Sequence, residues 1–144
     1  MVKARRQARE IALQALYEID CSGHAAEQTL NHLIEDENAP TDASVFATAI
    51  VSGVLNACET LDKIIAKHAP EYPVDQLAVV DRNILRIALY ELQFNSDVPI
   101  KVAVNEAVEL AKTFGSDTAP RFVNGVLGAL ADHQHEIQQA LNKV

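Results

Sequence analysis

Apolar residues recur every three or four positions near the start of the chain, and this spacing predicts an amphipathic helix. The helix starts near Arg5 and ends before the CSG sequence at 21–23. Its apolar positions are Ala8, Ile11, Ala12, Ala15, Leu16 and Ile19. A second set of residues falls on the opposite face: Arg6, Arg9, Leu13 and Tyr17. This second surface would suit a position between two lobes.

The same spacing predicts further helices along most of the chain, separated by breaks at Pro, Gly and acidic residues. We expect them over about 24–36, 41–68, 77–94, 99–114 and 122–141. The segment 77–94 is apolar nearly all round, which predicts the central buried helix of a second lobe. The sequence therefore predicts an all-α domain of about seven helices in two packed helical lobes, roughly 1–70 and 71–144.

Composition favours helices and a reducing compartment. The 144 residues include only five Gly, five Pro and no Trp, and 49% are hydrophobic. Cys21 and Cys58 have no metal-ligand spacing and no second Cys pair, so we expect reduced, buried thiols. The longest apolar run is far shorter than the roughly 20 residues that a bilayer requires. We therefore expect a cytoplasmic protein without a membrane segment.

The charge of the chain is unevenly distributed. The formal net charge is −8, yet residues 1–9 carry +4, which leaves −12 for residues 10–144. The basic residues at the start are Lys3, Arg5, Arg6 and Arg9. Residues 10–62 hold ten acids and no Lys or Arg. This asymmetry indicates a basic segment on an acidic body.

The sequence offers no catalytic or metal-binding constellation. It contains no Glu-x-x-His pair of the kind that di-metal helical bundles use, no Gly-rich phosphate loop and no Gly-x-Ser-x-Gly turn. The pairs Glu59/Asp62 and Glu106/Glu109 are interpreted as solvated surface, because such pairs are common on exposed helix faces. The five His residues are interpreted as surface or hydrogen-bonded core residues. We expect no enzyme, no cofactor and no metal.

The stretch from 112 to 130 has two unusual features. Gly125 and Gly128 lie within a predicted helix, at a cost of about 1 kcal/mol each relative to Ala, and close packing of two helices is a simpler explanation than ligand contact. Just before them, cations bracket a short loop that carries two of the four Phe residues: Lys112, Phe114, Arg121 and Phe122. Cations beside flat rings suit unpaired RNA, since phosphates attract cations and bases stack on rings. A place in the core is the alternative for both Phe residues.

Four segments, in order and at natural spacing, resemble the NusB family of bacterial transcription antitermination factors. They read ARRQAREIALQALY, RNILRIALYEL, VPIKVAVNEAVELAKTFG and RFVNGVLGAL. The similarity runs through nearly the whole chain, although residues 20–75 and the last dozen are generic helical sequence. The resemblance implies an all-helical fold of two packed lobes without catalytic activity. It also implies binding of single-stranded boxA RNA jointly with the ribosomal protein NusE, within the RNA polymerase antitermination complex on ribosomal RNA operons.

The resemblance also implies which residues do the binding. Seven residues match positions expected to contact RNA: Lys3, Arg5, Arg6, Arg9, Phe114, Arg121 and Phe122. Gln7 stands where some members of the family carry Arg. Tyr17 and Asp81 are expected on the surface that binds NusE, and Asp81 keeps the charge of the Glu found in other members. NusB-like proteins occur as monomers and as homodimers, so a homodimer stays open.

Two other functions remain open on the sequence alone. The basic segment would also fit an ordinary solvated helix start on a helical protein–protein adaptor that binds no RNA. The chain also resembles the NusB-like domain that is fused to RNA cytosine methyltransferases. The sequence up to Val144, however, contains no methyl-donor-binding fold. A filter-binding assay with RNA separates the adaptor from the RNA-binding protein.

Overall fold

In a computed structural model of the protein, the described part of the chain comprises residues 2–71, 73–94, 98–134 and 139. These residues form six α-helices and a short 3-10 helix, Val74–Gln76, with no strand among them. The helices are α1 (Val2–Ser22), α2 (Ala26–Asp36), α3 (Thr41–His68), α4 (Val79–Phe94), α5 (Ile100–Phe114) and α6 (Ala119–Ala131). The all-α prediction is confirmed, with six helices described where about seven were expected. Most of the predicted continuation of the last helix to Leu141 lies outside the described residues.

Packing divides the chain into two compact units, Met1–Asn56 and Ala57–Val144. The division falls within α3, so this 28-residue helix contributes to both units. The lobe boundary expected near residue 70 lies just beyond the end of the same helix. Each unit buries its own set of apolar side chains.

In the first unit, α1 packs against α2, and the apolar stripe predicted for α1 is buried. Its buried members are Ala8, Ile11, Ala12, Ala15 and Leu16. Burial also reaches the second surface of α1, because Arg9 and Leu13 are covered, whereas Arg6 and Tyr17 are exposed. The solvent face of α1 therefore carries charge near its start and an aromatic ring near its end.

The second unit is built around α4, which has almost no solvent face. Every residue from Asn83 to Leu89 is buried, as are Glu91, Leu92 and Gln93. Both α5 and α6 pack against α4 and against each other. Their buried apolar side chains include Ala103, Ala107, Leu110, Val123, Leu127 and Leu130. The prediction of a central buried helix over 77–94 is confirmed, and each large side chain that it buries contributes about 1.5–3 kcal/mol.

Two buried polar residues of α4, Arg86 and Asn83, have internal partners, whereas the buried side-chain amide of Gln93 has no hydrogen-bond partner among the described residues. The Arg86 guanidinium donates from Nε to Asp62 Oδ1 and from Nη2 to Asp62 Oδ2, both at 2.7 Å, and this bidentate pair joins α4 to α3. Arg86 Nη1 also donates to Asn83 Oδ1 at 3.2 Å, and Asn83 Nδ2 donates to Val79 O at 2.8 Å. A buried guanidinium that loses its carboxylate is strongly unfavourable. The position of Arg86 in the interior therefore depends on Asp62.

The two carboxylate pairs are less solvated than expected. Glu59 and Glu109 are exposed, which fits the solvated-surface interpretation. Glu106, however, lies on the packed side of α5 and is buried, with an interaction partner there. Asp62 is engaged by a buried guanidinium. The interpretation is therefore wrong for Glu106 and incomplete for Asp62, because helical spacing places carboxylates on a face without saying what covers that face.

Both cysteines are free thiols, but their burial differs from the expectation. Cys21 is exposed near the end of α1, and Cys58 is half-buried in α3. The expectation of two buried thiols is wrong for Cys21, because the buried stripe of α1 ends before its last turn and Cys21 lies beyond it.

The helix α3 is long and apolar enough, by length and composition, to cross a bilayer, with a mean hydropathy of 1.4 over 18 residues. A core helix passes the same test, so this is weak support for a membrane span. The exposed positions of α3 include polar residues and the apolar residues Val45 and Leu55; the polar ones include Thr48, Ser52, Asn56, Glu59, Lys63 and Lys67. Its buried positions are apolar: Ala43, Ala47, Ile50, Val51, Val54, Leu61, Ile64 and Ile65. This amphipathic distribution is typical of a core helix.

The bidentate pair predicts the effect of Asp62→Asn. The substitution leaves the guanidinium of Arg86 buried without its carboxylate, so we expect the free energy of unfolding to fall by about 2–3 kcal/mol, less than for a fully buried pair because Asp62 is partly exposed. Urea denaturation followed by circular dichroism measures the loss. The control is Lys63→Gln, which removes an exposed ion pair with Glu59 and should cost less than about 0.5 kcal/mol. Equal losses in both variants would show that Asp62 does not hold Arg86.

Candidate nucleic-acid interface

The basic segment, residues 3–9, forms the first two turns of α1. Lys3 and Arg6 are exposed, Arg5 is half-buried and Arg9 is only 4% exposed. Arg9 is held inside the unit by its neighbours. Of the four RNA contacts predicted in this segment, three therefore lie at exposed or half-buried positions, and the fourth is buried.

The position of these cations is unfavourable for the helix itself. No acidic residue lies in the first turn of α1, where the free backbone N–H groups already carry partial positive charge. A charge of the wrong sign at a helix end costs about 0.3–1 kcal/mol, and like charges one turn apart repel. Helix energetics therefore do not account for the segment, whereas an anion bound at this end would relieve the repulsion.

Two of the arginines share one aromatic ring. Arg5 Cζ lies 5.0 Å and Arg9 Cζ lies 5.6 Å from the centroid of the Phe46 ring on α3. Both distances are within the range of cation–π attraction. Phe46 thus belongs to the site, although the apolar spacing around it indicates only a core position and no local pattern connects it with the basic segment.

The second group of predicted RNA residues lies in the second unit, around residues 115–118, the α5–α6 turn. Phe114 is the last residue of α5, and Arg121 and Phe122 lie in the first turn of α6. Arg121 is exposed and has no ion-pair partner among the described residues, and both rings are half-buried. Half-burial suits either role considered for these rings, core packing or base stacking.

Arg121 and Phe122 line an open cavity of about 420 Å³. Other lining residues include His68, Gly125 and Val126. The His68 ring stacks on the ring of His133, with 4.7 Å between centroids, which adds flat surface near the cavity. The cavity thus places the Arg121 cation beside aromatic rings, and Glu71 adds a carboxylate to its lining.

Gly115 allows the α5–α6 turn to close tightly. Its backbone is extended, with φ −94° and ψ −178°, so no left-handed conformation calls for glycine. A Cβ at this position would instead lie 2.5 Å from Ala119 Cβ and 2.9 Å from Ala111 O, closer than real contacts. The predicted end of the helix at Gly115 is confirmed, and the reason for glycine there is steric.

Asp81 lies in the first turn of α4, beside the α5–α6 turn. A Cβ on Gly115 would lie 3.6 Å from Asp81 Oδ1. Burial raises the pKa of the Asp81 carboxyl above its usual value. Because a helix N-terminus favours negative charge, desolvation outweighs the helix dipole here. Ionisation of Asp81 therefore carries a desolvation cost for the fold.

Tyr17, the other residue predicted to contact a protein partner, is 44% exposed on α1. Aromatic residues are enriched at protein interfaces, so this exposure is consistent with the prediction. Tyr17 and the basic segment belong to the first unit, whereas Asp81 and the α5–α6 turn belong to the second. Each unit therefore contains one set of predicted RNA contacts and one predicted partner contact.

Gly125 and Gly128 are exposed on α6, and a Cβ at either position would meet nothing within 4 Å. Close packing of two helices, the explanation favoured by the sequence, is therefore wrong for both glycines. Gly125 instead lines the cavity beside Arg121 and Phe122, and its missing side chain leaves that side of the cavity open.

The basic segment and the residues around the α5–α6 turn both offer cations and aromatic rings. Within the parts of the chain that the structure describes, no three His, Cys, Asp or Glu side chains come together in an arrangement suited to a metal ion. The two groups offer guanidinium and ammonium donors together with aromatic faces. Such groups bind phosphates by charge-assisted hydrogen bonds and bases by stacking.

Comparison with known proteins identifies relatives over most of the chain. The NusB family profile matches residues 6–132. The transcription antitermination protein NusB of Dehalococcoides mccartyi (strain CBDB1) is 46% identical over 144 residues, covering 96% of this chain and 100% of that protein. The transcription antitermination protein NusB of Bacillus subtilis (strain 168) is 48% identical over 123 residues, covering 85% of this chain and 91% of that protein.

Solved structures share the fold. The structure of T. maritima NusB superposes with a TM-score of 0.82 at 33% identity, covering 92% of this chain and 96% of that one. A chain in the crystal structure of the antitermination factors NusB and NusE in complex with dsRNA superposes with a TM-score of 0.84 at 32% identity, covering 92% and 98%. The sequence and structural comparisons agree.

The tight α5–α6 turn predicts opposite effects for two glycine substitutions. Gly115→Ala forces Ala119 or the carbonyl of Ala111 to move, so we expect the free energy of unfolding to fall by about 1–3 kcal/mol in urea denaturation. Gly128→Ala is the control, because free space and the higher helix propensity of Ala predict a gain of up to about 1 kcal/mol. The steric role of Gly115 is refuted if both variants are equally stable.

Proposed function

The chain belongs to the NusB family, and we propose that it acts as a transcription antitermination factor that binds boxA RNA together with NusE. The observation that carries the RNA-binding part is the basic segment. Lys3, Arg5 and Arg6 accumulate at the positive end of α1, where the helix dipole is unfavourable for cations. An RNA backbone supplies the negative charge that this position lacks.

The α5–α6 turn supplies the second half of the proposed RNA contact. In this proposal the exposed guanidinium of Arg121 pairs with a phosphate, and a base stacks on the Phe122 ring, which lines the same cavity of about 420 Å³. In the related crystal structure, NusB and NusE are in complex with dsRNA, which supports both partners. We expect single-stranded RNA to bind more tightly than duplex here, because only unpaired bases can stack on the Phe122 ring.

NusE is the proposed protein partner, and Tyr17 and Asp81 are the proposed contacts. An acidic body repels RNA over most of its surface, so a partner that adds basic surface should strengthen RNA binding. The coupling must be reciprocal, since RNA and NusE then raise each other's affinity by the same factor. We place this assembly in the bacterial cytoplasm, within the RNA polymerase antitermination complex. Relatives named as antitermination proteins over nearly their whole length favour this function over an adaptor or a methyltransferase domain.

Removing the charge of the basic segment should make RNA binding less sensitive to salt. Each phosphate contact with a single strand adds about −0.7 to the slope of log K against log salt concentration. The triple variant Lys3→Gln/Arg5→Gln/Arg6→Gln should therefore lose about 2 from the magnitude of the slope, and should bind more weakly. Fluorescence anisotropy with labelled boxA RNA, single-stranded and duplex, over a KCl series measures both quantities. Arg9 is left in place because it is buried.

Two further variants serve as contrasts in the same titration. Phe122→Leu removes the ring but no charge, so it should weaken binding by about 1–3 kcal/mol with the slope unchanged. The charge-matched control Lys63→Gln/Lys67→Gln/Lys101→Gln removes three exposed cations elsewhere and should leave the slope near that of the wild type. If the basic-segment variant keeps the wild-type affinity and slope, the segment is a solvated helix start and the proposal fails.

Asp81→Asn should separate partner binding from stability. The raised pKa means that the contribution of Asp81 to stability is complete below pH 3.8 and is lost as pH rises through the folded-state pKa. The Asn variant does not ionise, so at pH 7 its thermal midpoint should equal or exceed that of the wild type, and the difference should vanish below pH 3.8. Its affinity for NusE should nevertheless fall by about two- to fivefold, measured by calorimetry.

The control for this variant is Asp75→Asn, which removes the same charge from an exposed position in the second unit. We expect it to bind NusE like the wild type. Equal NusE affinity of the wild type and Asp81→Asn, with helicity preserved, places Asp81 off the partner surface.

A further inference from the structure

One aromatic ring contacts two cations of the basic segment. Arg5 and Arg9 are one turn apart on α1, and their Cζ atoms lie 5.0 and 5.6 Å from the Phe46 centroid. Two like charges at this spacing repel each other on an isolated helix. The negative face of an aromatic ring attracts both, so Phe46 offsets the repulsion.

The Phe46 ring has a different effect on each of the two arginines. Arg9 is 4% exposed, so it is largely removed from water and the ring is one of the contacts that hold it. Arg5 is half-buried, with one part of the side chain against the protein and the rest open to solvent. A guanidinium that lies against a ring face keeps N–H groups that donate to a phosphate. Arg5 is therefore the arginine of this pair that can meet a ligand.

We propose that Phe46 is a positioning residue for RNA binding: its ring holds Arg5 ready for a phosphate of the RNA backbone and anchors Arg9 beneath it. This inference rests on the proposed function. A long, flexible Arg side chain loses rotamer freedom when it binds, and prior ordering by the ring reduces that loss. Phe46 thus acts on RNA affinity through Arg5 and needs no contact with RNA of its own.

A purely structural role of Phe46 makes different predictions. If the ring only fills space between α1 and α3, its loss would lower stability and would weaken RNA binding independently of Arg5. If the ring positions Arg5, the loss of the ring and the loss of Arg5 remove the same phosphate contact. The loss of RNA affinity in the double variant is then smaller than the product of the losses in the two single variants.

The test is a double-mutant cycle with labelled single-stranded boxA RNA, measured by fluorescence anisotropy over a KCl series. Phe46→Leu keeps an apolar side chain but removes the ring, and we expect about five- to tenfold weaker binding. The magnitude of the salt slope should fall by about 0.7, the share of one phosphate contact. In the background of Arg5→Gln, the same substitution should change affinity by less than about twofold.

Conservative variants and folding controls complete the design. Phe46→Tyr keeps the aromatic face and should restore affinity and slope to within about twofold of the wild type. Circular dichroism and thermal unfolding check that each variant is folded. Where Phe46→Leu does not fold, Phe46→Met takes its place, because a flexible thioether side chain adapts to the space left by the ring.

The outcomes distinguish the inference from the function on which it rests. Wild-type protein that binds no RNA, or an unchanged slope in the basic-segment variant, overturns the proposed function. RNA binding that is weakened by Arg5→Gln but not by Phe46→Leu overturns only the positioning role. Losses that multiply in the double variant, with the slope of Phe46→Leu unchanged, also overturn it and leave Phe46 as a structural residue.

Discussion

The burial of α4 on nearly all sides is the constraint on which the second unit depends. A helix without a solvent face leaves its polar groups no water, so Arg86 requires the carboxylate of Asp62 and the amide of Asn83. With α4 held in this way, its first turn sets Asp81 against Gly115, and α5 and α6 pack on its sides. The place at which Arg121 and Phe122 reach the surface follows from this packing.

The first unit is subject to a different constraint. Its helix α1 carries cations at the N-terminal end, where the helix dipole is already positive. Burial of Ile11, Leu13 and Leu16 contributes about 1.5–3 kcal/mol for each side chain. The unfavourable charge at the helix start amounts to about 0.3–1 kcal/mol for each cation. The free energy gained by burying the apolar stripe therefore exceeds the cost of the cations at the helix start. The fold can accommodate a basic segment that serves a function other than folding.

Helical spacing predicted the helices well, because a 3.6-residue period directly reports which side of a helix is buried. It predicted the surroundings of single residues less well, since these depend on other elements. The burial of Arg9 and its contact with Phe46 join residues 37 positions apart, and no local pattern connects them. The glycines show the same limit: Gly115 is needed because of Ala119 in the next helix, whereas Gly125 and Gly128 have open space around them.

The two groups of candidate residues proposed to bind RNA would do so by different physics, and this difference bears on selectivity. Attraction by the basic segment acts on any phosphate backbone and weakens with salt. Stacking on Phe122 requires an unpaired base and depends little on salt. Because residues 10–144 carry −12, RNA is repelled from most of the remaining surface, and screening confines the attraction to about 8–10 Å around the cations. In the proposed mode of binding, charge determines where RNA approaches the protein, and the Phe122 ring favours strands that carry an unpaired base.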